Sequence, residues 1–258
     1  MFARREVLGQ LITAPVAAGG LAAVLANPDA ARAAASSLET VEITTGSGLQ
    51  VQAAWGAPAQ AQALSVLLVH EWWGLNDSIK AVAAQFVAEG YGALAVDLYG
   101  GRVADNGDDA RSYMNDVEDG AATEILAAWI DWLRAREDGT GAVATVGWCF
   151  GGGWSLNASM ARPVEATVVY YGNVSRTAEE LAALEGPVLG HFATRDQWIN
   201  DAMVDGFTGA MMAAQKPLTV YWYEADHAFA NPTSARYDED DAALSWQRTL
   251  AFLDETLA

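Results

Sequence analysis

Short apolar runs rich in β-branched residues alternate along most of this chain with longer stretches whose apolar positions recur every three to four residues. The short runs predict strands at 40–45, 49–55, 65–70, 93–97, 143–148, 166–171, 188–193 and 218–223. The longer stretches predict helices. Asn76 is placed to cap one that begins at Asp77 and is ended by Gly90. Between Val117 and Glu137, the residues Ile125, Trp129, Trp132 and Leu133 fall on one helical face. Thr177 and Glu180 have the spacing of a capping box, and 243–257 carry a final amphipathic pattern. Strands that alternate with helices imply an α/β fold, a mostly parallel sheet covered on both faces. Only Gly46-Ser47-Gly48 separates the first two strands, so they are expected as an antiparallel hairpin at one edge.

Composition narrows the partners. The 258 residues are 52% apolar and include 10 Trp, as expected of a folded chain. With 14 Lys+Arg against 33 Asp+Glu the formal net charge is −19, which disfavours nucleic acid and anionic membrane surfaces. Residues 1–35 have a basic start, an Ala/Gly-rich apolar middle and the small-residue end Ala31-Arg32-Ala33-Ala34-Ala35. That is the grammar of a signal peptide, and Arg4-Arg5 resembles a twin-arginine export signal, with Ala3 and Val7 at positions where Ser/Thr and Phe are usual. The expectation is an exported protein, periplasmic or extracellular, with residues 36–258 forming a single domain. A monomer with no membrane attachment after leader removal is expected.

The candidate chemistry centres on one thiol. Cys149 is the only cysteine, so no internal disulfide is available to it. Gly147-Trp148-Cys149-Phe150-Gly151 has the G-x-nucleophile-x-G form, set between an apolar strand pattern and a helical one. A residue squeezed into such a turn needs neighbours without bulky Cβ groups, and Gly147, Gly151, Gly152 and Gly153 meet that need. A thiol nucleophile requires a base. Of three histidines, His227 follows the last strand in a loop, His191 sits inside an apolar run, and His70 closes a strand. His227 is the candidate base, because loops at strand ends hold catalytic groups in this architecture. Asp196, just past a strand, is the candidate to orient it; Asp201 and Asp205 suit helix positions, and Asp226 is too close to His227 in sequence. In an α/β-hydrolase the oxyanion amides would be those of Phe150, after the nucleophile, and Trp72, in the loop opened by Glu71. Glu71 itself is either a surface loop acid or a group that reaches the thiol and controls its proton.

These four motifs together, Gly147 to Gly152, Asp196 in Ala193-Thr-Arg-Asp-Gln-Trp198, His227 in Tyr223-Glu-Ala-Asp-His-Ala-Phe-Ala-Asn231, and Glu71 in His70-Glu-Trp-Trp-Gly-Leu-Asn76, resemble the dienelactone hydrolase family. The resemblance runs from about Ser65 to the C-terminus. It implies an α/β-hydrolase fold and a Cys149-Asp196-His227 triad that cleaves small lactones or esters without a cofactor. It further implies that Glu71 holds the resting thiol and moves when substrate binds. Family enzymes grip a substrate carboxylate with arginines, one of them shortly after the histidine, where this chain has Asn231. Arg102, Arg111 and Arg236 are the other candidates for that grip. A broader carboxylesterase or thioesterase is the alternative within enzymes, and a catalytically silent binding module on the same fold is the alternative outside them. A dithiol redox protein is disfavoured by the missing second cysteine, and three scattered histidines have no metal-ligand spacing.

Overall fold

The computed structural model describes residues 24–61 and 63–257. Eight strands form one sheet: β1 (Glu39–Thr44), β2 (Gln50–Gly56), β3 (Ala63–Val69), β4 (Gly92–Val96), β5 (Gly139–Trp148), β6 (Ala166–Tyr170), β7 (Val188–Ala193) and β8 (Leu218–Tyr223). Their spatial order is β1-β2-β4-β3-β5-β6-β7-β8. The hairpin β1–β2 is antiparallel, and β2 also runs antiparallel to β4; from β4 to β8 every neighbouring pair is parallel. All eight expected strands are present, and the edge hairpin stands where it was expected.

The parallel strands carry apolar residues on both faces because helices cover both. Alternation along a strand sends successive side chains to opposite sides. From β3, Val66 and Leu68 pack with Phe86, Trp246 and Leu253, while Leu67 and Val69 pack with Leu126, Trp129 and Leu133. The first set of partners comes from α2 (Asp77–Ala88) and the long C-terminal α8 (Glu239–Leu257); the second comes from α4 (Asp119–Arg134). Further along that second face, α7 (Asp201–Ala213) buries Val204, Phe207 and Met211 against Val169 and Phe192. Asn76 caps α2 through Ile79 N–H, and Thr177 with Glu180 forms the full capping box of the short α6 (Ala178–Leu181).

The helix that matters most for the site, α5 (Phe150–Ala161), begins one residue after the end of β5. Small hydroxyl side chains bring it close to the sheet. Ser159 Oγ bonds both Thr145 Oγ1 (2.8 Å) and Thr167 Oγ1 (2.7 Å), and Ser155 Oγ donates to Val168 O at 3.0 Å. Each of these buried hydroxyls has a partner, so the polar seam carries no desolvation penalty from unmade bonds.

Two helices lie outside the periodicity reading. The stretch after β4 that carries Arg102 and Arg111 contains α3 (Gly107–Asn115). It buries only Ala110, so it has almost no apolar stripe to read. Its start is set instead by Asn106, whose side chain accepts from Asp108 and Asp109 N–H. The other is α1 (Pro28–Ala35), capped by Asn27, within the segment assigned to the leader. Ala31 and Ala35 are buried, and Ala31 packs with Leu25 in the core on the α2 side. Arg4 and Arg5 lie outside the described residues.

Candidate active site

Cys149 occupies the turn between β5 and α5 with φ 55° and ψ −118°, in the region that disfavours side chains. The turn is tight enough that a Cβ on Gly147 would strike the Gly151 carbonyl, and one on Gly151 would strike the carbonyls of Val69 and His70. Glycine at 151 therefore lets the first turn of α5 press against the end of β3. Two further non-glycine residues with positive φ, Tyr171 (37°) and Ala228 (65°), flank the same site. Strained backbone gathers here because side chains must be aimed, a pattern common to functional sites.

The thiol is aimed into a hydrogen-bonded line. His227 Nε2 lies 3.1 Å from Cys149 Sγ, and His227 Nδ1 lies 2.6 Å from Asp196 Oδ2. Asp196 has no proton to give, so Nδ1–H donates to it and Nε2 is left to accept from the thiol. The other Asp196 oxygen accepts from Trp198 N (2.8 Å) and Ile199 N (3.0 Å). Burial alone would raise the Asp196 pKa, but the His227 bond and these two amides outweigh it and bring it below the ordinary value. The structure thus brings together the three residues picked out from sequence, each at the carboxyl end of a strand.

Burial pushes the Cys149 thiol up to about 12, with the charges of Glu71 and Asp196 adding to the rise. Opposing that rise, the backbone amides of Phe150 and Trp72 favour the charged form of the sulfur. These are the two amides expected to form an oxyanion hole. The Trp72 loop is held from two sides. Tyr99 Oη donates to Trp72 O at 3.2 Å, and His70 Nδ1–H donates to Glu71 O at 2.6 Å. His70 Nε2 accepts from Leu98 N at 3.2 Å, so the fully buried ring is neutral, and burial holds its pKa below the usual value. His70 is thus a brace for the loop. Tyr99, beyond β4, was missed from sequence; its position past a strand end was the signal that could have found it.

The remaining candidates separate cleanly. His191 is buried in β7 between Tyr223 Oη (2.8 Å) and Thr249 Oγ1 (3.0 Å), and burial drops its pKa to about 3. Asp201 and Asp205 lie on α7, and Asp226 pairs with Arg195 at 3.3 Å. Arg102 is tied to Asp116 (2.8 Å) and covers the Tyr113 ring, and Arg111 is exposed on α3. Arg236 alone of the three stands beside the histidine. Its guanidinium lies 5.5 Å from the Trp198 ring, which meets His227 edge-on at 5.2 Å.

Glu71 departs from the expectation that it holds the thiol. It is only 5% exposed, but its partners are Asn231 Nδ2–H, which donates to Oε2, and Tyr171 Oη–H, which donates to Oε1 at 3.4 Å. The thiol bonds His227 instead. Burial raises the Glu71 pKa, and the Asn231 bond, the His227 charge, the Tyr171 bond and the Arg236 charge all work against that rise. Tyr171 and Asn231 as partners of Glu71 were not foreseen, because the contact depends on how two distant loops meet. A small open cleft lies beside them, walled by Ile79, Val82, Trp148 and Pro232. Among the described residues no cluster of His, Cys, Asp and Glu is arranged to hold a metal. No helix among them is long and apolar enough to cross a membrane.

The sequence model of the dienelactone hydrolase family matches residues 51–257. The chain belongs to that family. A carboxymethylenebutenolidase of Pseudomonas putida is 28% identical over 232 residues, covering 83% of this chain and 95% of the relative. Carboxymethylenebutenolidase 1 of Cupriavidus pinatubonensis is 26% identical over 223 residues, with the same two coverages of 83% and 95%. Among solved structures, the dienelactone hydrolase-like promiscuous phosphotriesterase P91, from metagenomic libraries, superposes with a TM-score of 0.76 at 21% identity. That match covers 85% of this chain and 99% of P91, and it supports the fold alone. As a dienelactone hydrolase family member with an α/β-hydrolase fold, the chain is a carboxylic ester hydrolase.

The crowding at the turn makes a direct prediction. Gly151→Ala forces a methyl group into the β3 carbonyls and should cost about 3 kcal/mol or more, or prevent folding. Gly206→Ala, in open space within α7, should stabilise by roughly 0.5–1 kcal/mol. Urea denaturation of both variants checks the contrast; equal effects would mean that the turn is not packed as described.

Proposed function

We propose that this protein hydrolyses small lactones or carboxylic esters through an acyl-enzyme on Cys149. One observation carries the reading: Asp196, His227 and Cys149 form a continuous line at 2.6 and 3.1 Å, and the Phe150 and Trp72 amides favour negative charge at its end. His227 Nε2 takes the thiol proton as the sulfur attacks the carbonyl carbon. The C–S bond forms, and the charge that moves to the carbonyl oxygen is met by the Trp72 and Phe150 N–H groups. Collapse breaks the C–O bond, and His227 returns the proton to the leaving oxygen. In a lactone that oxygen stays attached, as a hydroxyl on the acyl group. Water, deprotonated by the same imidazole, then releases the acid and restores the thiol. Asp196 keeps His227 in the tautomer this requires and stabilises the imidazolium that forms.

The proposed activation is concerted with attack. A thiol pushed up to about 12 is almost entirely neutral at pH 7, so the resting enzyme does not carry a free thiolate. Proton transfer along the existing bond to His227 supplies it as the carbonyl arrives. The substrate class follows the relatives named carboxymethylenebutenolidase, whose name describes a small lactone. Trp198 and Arg236 give this site an aromatic wall and a cation at the histidine side, which suits a compact unsaturated ester.

Export belongs to the same proposal. Arg4-Arg5, the Ala/Gly-rich middle and the small-residue end of residues 1–35 support a twin-arginine leader and a periplasmic or extracellular enzyme.

For the chemistry, Cys149→Ala should reduce hydrolysis of a panel of small lactones and p-nitrophenyl esters to background. Its unfolding free energy should change by less than about 1 kcal/mol. The wild type, quenched during turnover of a slow ester, should show a mass increase equal to the acyl group on the peptide containing Cys149. An alanine variant that still turns over would end the proposal.

For export, replacing Arg4 and Arg5 with Lys should leave precursor in the cytoplasm. If the double-lysine variant is exported at the normal rate, the twin-arginine assignment is wrong. The N-terminus of the exported protein, read by intact mass, also decides whether α1 remains on the mature enzyme.

A further inference from the structure

Asn231 is fixed in the loop that carries His227. Its N–H donates to Ala228 O at 3.1 Å, and its carbonyl accepts from Ser234 N at 2.9 Å. Its side chain is oriented as well. Oδ1 accepts from Thr233 N (2.9 Å) and from Thr233 Oγ1 (2.7 Å), which commits the oxygen end of the amide. Only the NH₂ end is left to face Glu71, and it donates to Oε2. Asn231 therefore ties the loop after β3, with its oxyanion amide at Trp72, to the loop that carries the base. Cys149 lies between them.

The groups around the Glu71 carboxyl are few: the Tyr171 hydroxyl, the Asn231 amide, the His227 imidazole, the Cys149 thiol, and the Arg236 charge at longer range. A buried carboxylate takes whatever donors it can reach. The thiol S–H is one such donor, and a thiol bonded to Glu71 would be lost to His227. In this structure the donors on Glu71 are Asn231 and Tyr171, and the sulfur is bonded to His227.

We propose that Asn231, oriented by Thr233, is a positioning residue that keeps the Glu71 carboxyl turned away from Cys149 and so leaves the thiol engaged with His227. The proposal rests on Cys149 being the nucleophile, and it gives Glu71 a resting place other than the thiol. Asn231→Ala frees the carboxylate to accept the S–H, which makes the thiol less reactive. Thr233→Val removes one of the two bonds that orient the amide and acts in the same direction more weakly.

The test is a double-mutant cycle read on the chain's single cysteine. Iodoacetamide alkylation rates would be measured against pH for wild type, Asn231→Ala, Glu71→Gln, the Glu71→Gln/Asn231→Ala pair, and Thr233→Val, with circular dichroism to confirm folding. Asn231→Ala should slow alkylation at neutral pH by about fivefold or more, the worth of one hydrogen bond, and shift the rate profile to higher pH. In the Glu71→Gln background the same change should alter the rate by less than about twofold, because no carboxylate is left to release. An unchanged rate in Asn231→Ala overturns the proposal. Equal slowing in both backgrounds also overturns it, since Asn231 would then act without Glu71. Should Asn231→Ala fail to fold, Thr233→Val alone and with Glu71→Gln gives the same comparison. Hydrolysis that survives in Cys149→Ala would sink the nucleophile reading separately, without changing how the alkylation cycle is scored.

Discussion

Cys149 has to sit where backbone sterics least want a side chain, and the surrounding structure is arranged to make that affordable. At φ 55° the residue projects its sulfur past the end of β5, and the turn closes only because Gly147 and Gly151 present no Cβ to the opposing carbonyls. The approach of Gly151 to Val69 and His70 brings β3 under α5, which places the Trp72 loop on one side of the sulfur. The β6 end supplies Tyr170 O, which accepts the Cys149 N–H at 3.0 Å and keeps that amide away from the reacting oxygen. The seam of Thr145, Ser155, Ser159 and Thr167 fixes α5 from beneath, so the turn is held at both ends.

Electrostatics at the site pull in two directions. Burial and two nearby carboxyl groups make a standing thiolate costly, whereas the Phe150 and Trp72 amides favour negative charge at the same place. In the proposed mechanism an ester carbonyl arriving beside the sulfur would turn the second effect into transition-state stabilisation, because the developing oxyanion would draw on the same two amides. A neutral resting thiol is also less exposed to oxidation, which follows thiolate character. On this account the enzyme gives up a reactive ground state and relies on His227, already in contact, to move one proton at the moment of attack.

Much of this was readable from the chain alone, and the boundary between what was and was not has a physical origin. The strands, the turn glycines, and the placement of Cys149, Asp196 and His227 after strands depend on local periodicity and on short motifs. Those signals survive in one dimension. Helix α3 was not readable because it buries a single alanine and is set by a cap. The partners of Glu71 were not readable because Tyr171 comes from the end of β6 and Asn231 from a loop beyond β8, and only the sheet order brings them to one carboxyl. Sequence resemblance placed Glu71 on the thiol; the hydrogen bonds of this chain place it on an asparagine.

The central claim is that Cys149 rests as a neutral thiol and is ionised only through His227. The most direct measurement is a titration of thiolate ultraviolet absorbance, wild type minus Cys149→Ala, in the absence of substrate. The account predicts no thiolate at neutral pH and a transition well above the ~8.5 of an ordinary cysteine. A transition below neutral pH, with thiolate already present in the resting enzyme, would contradict it.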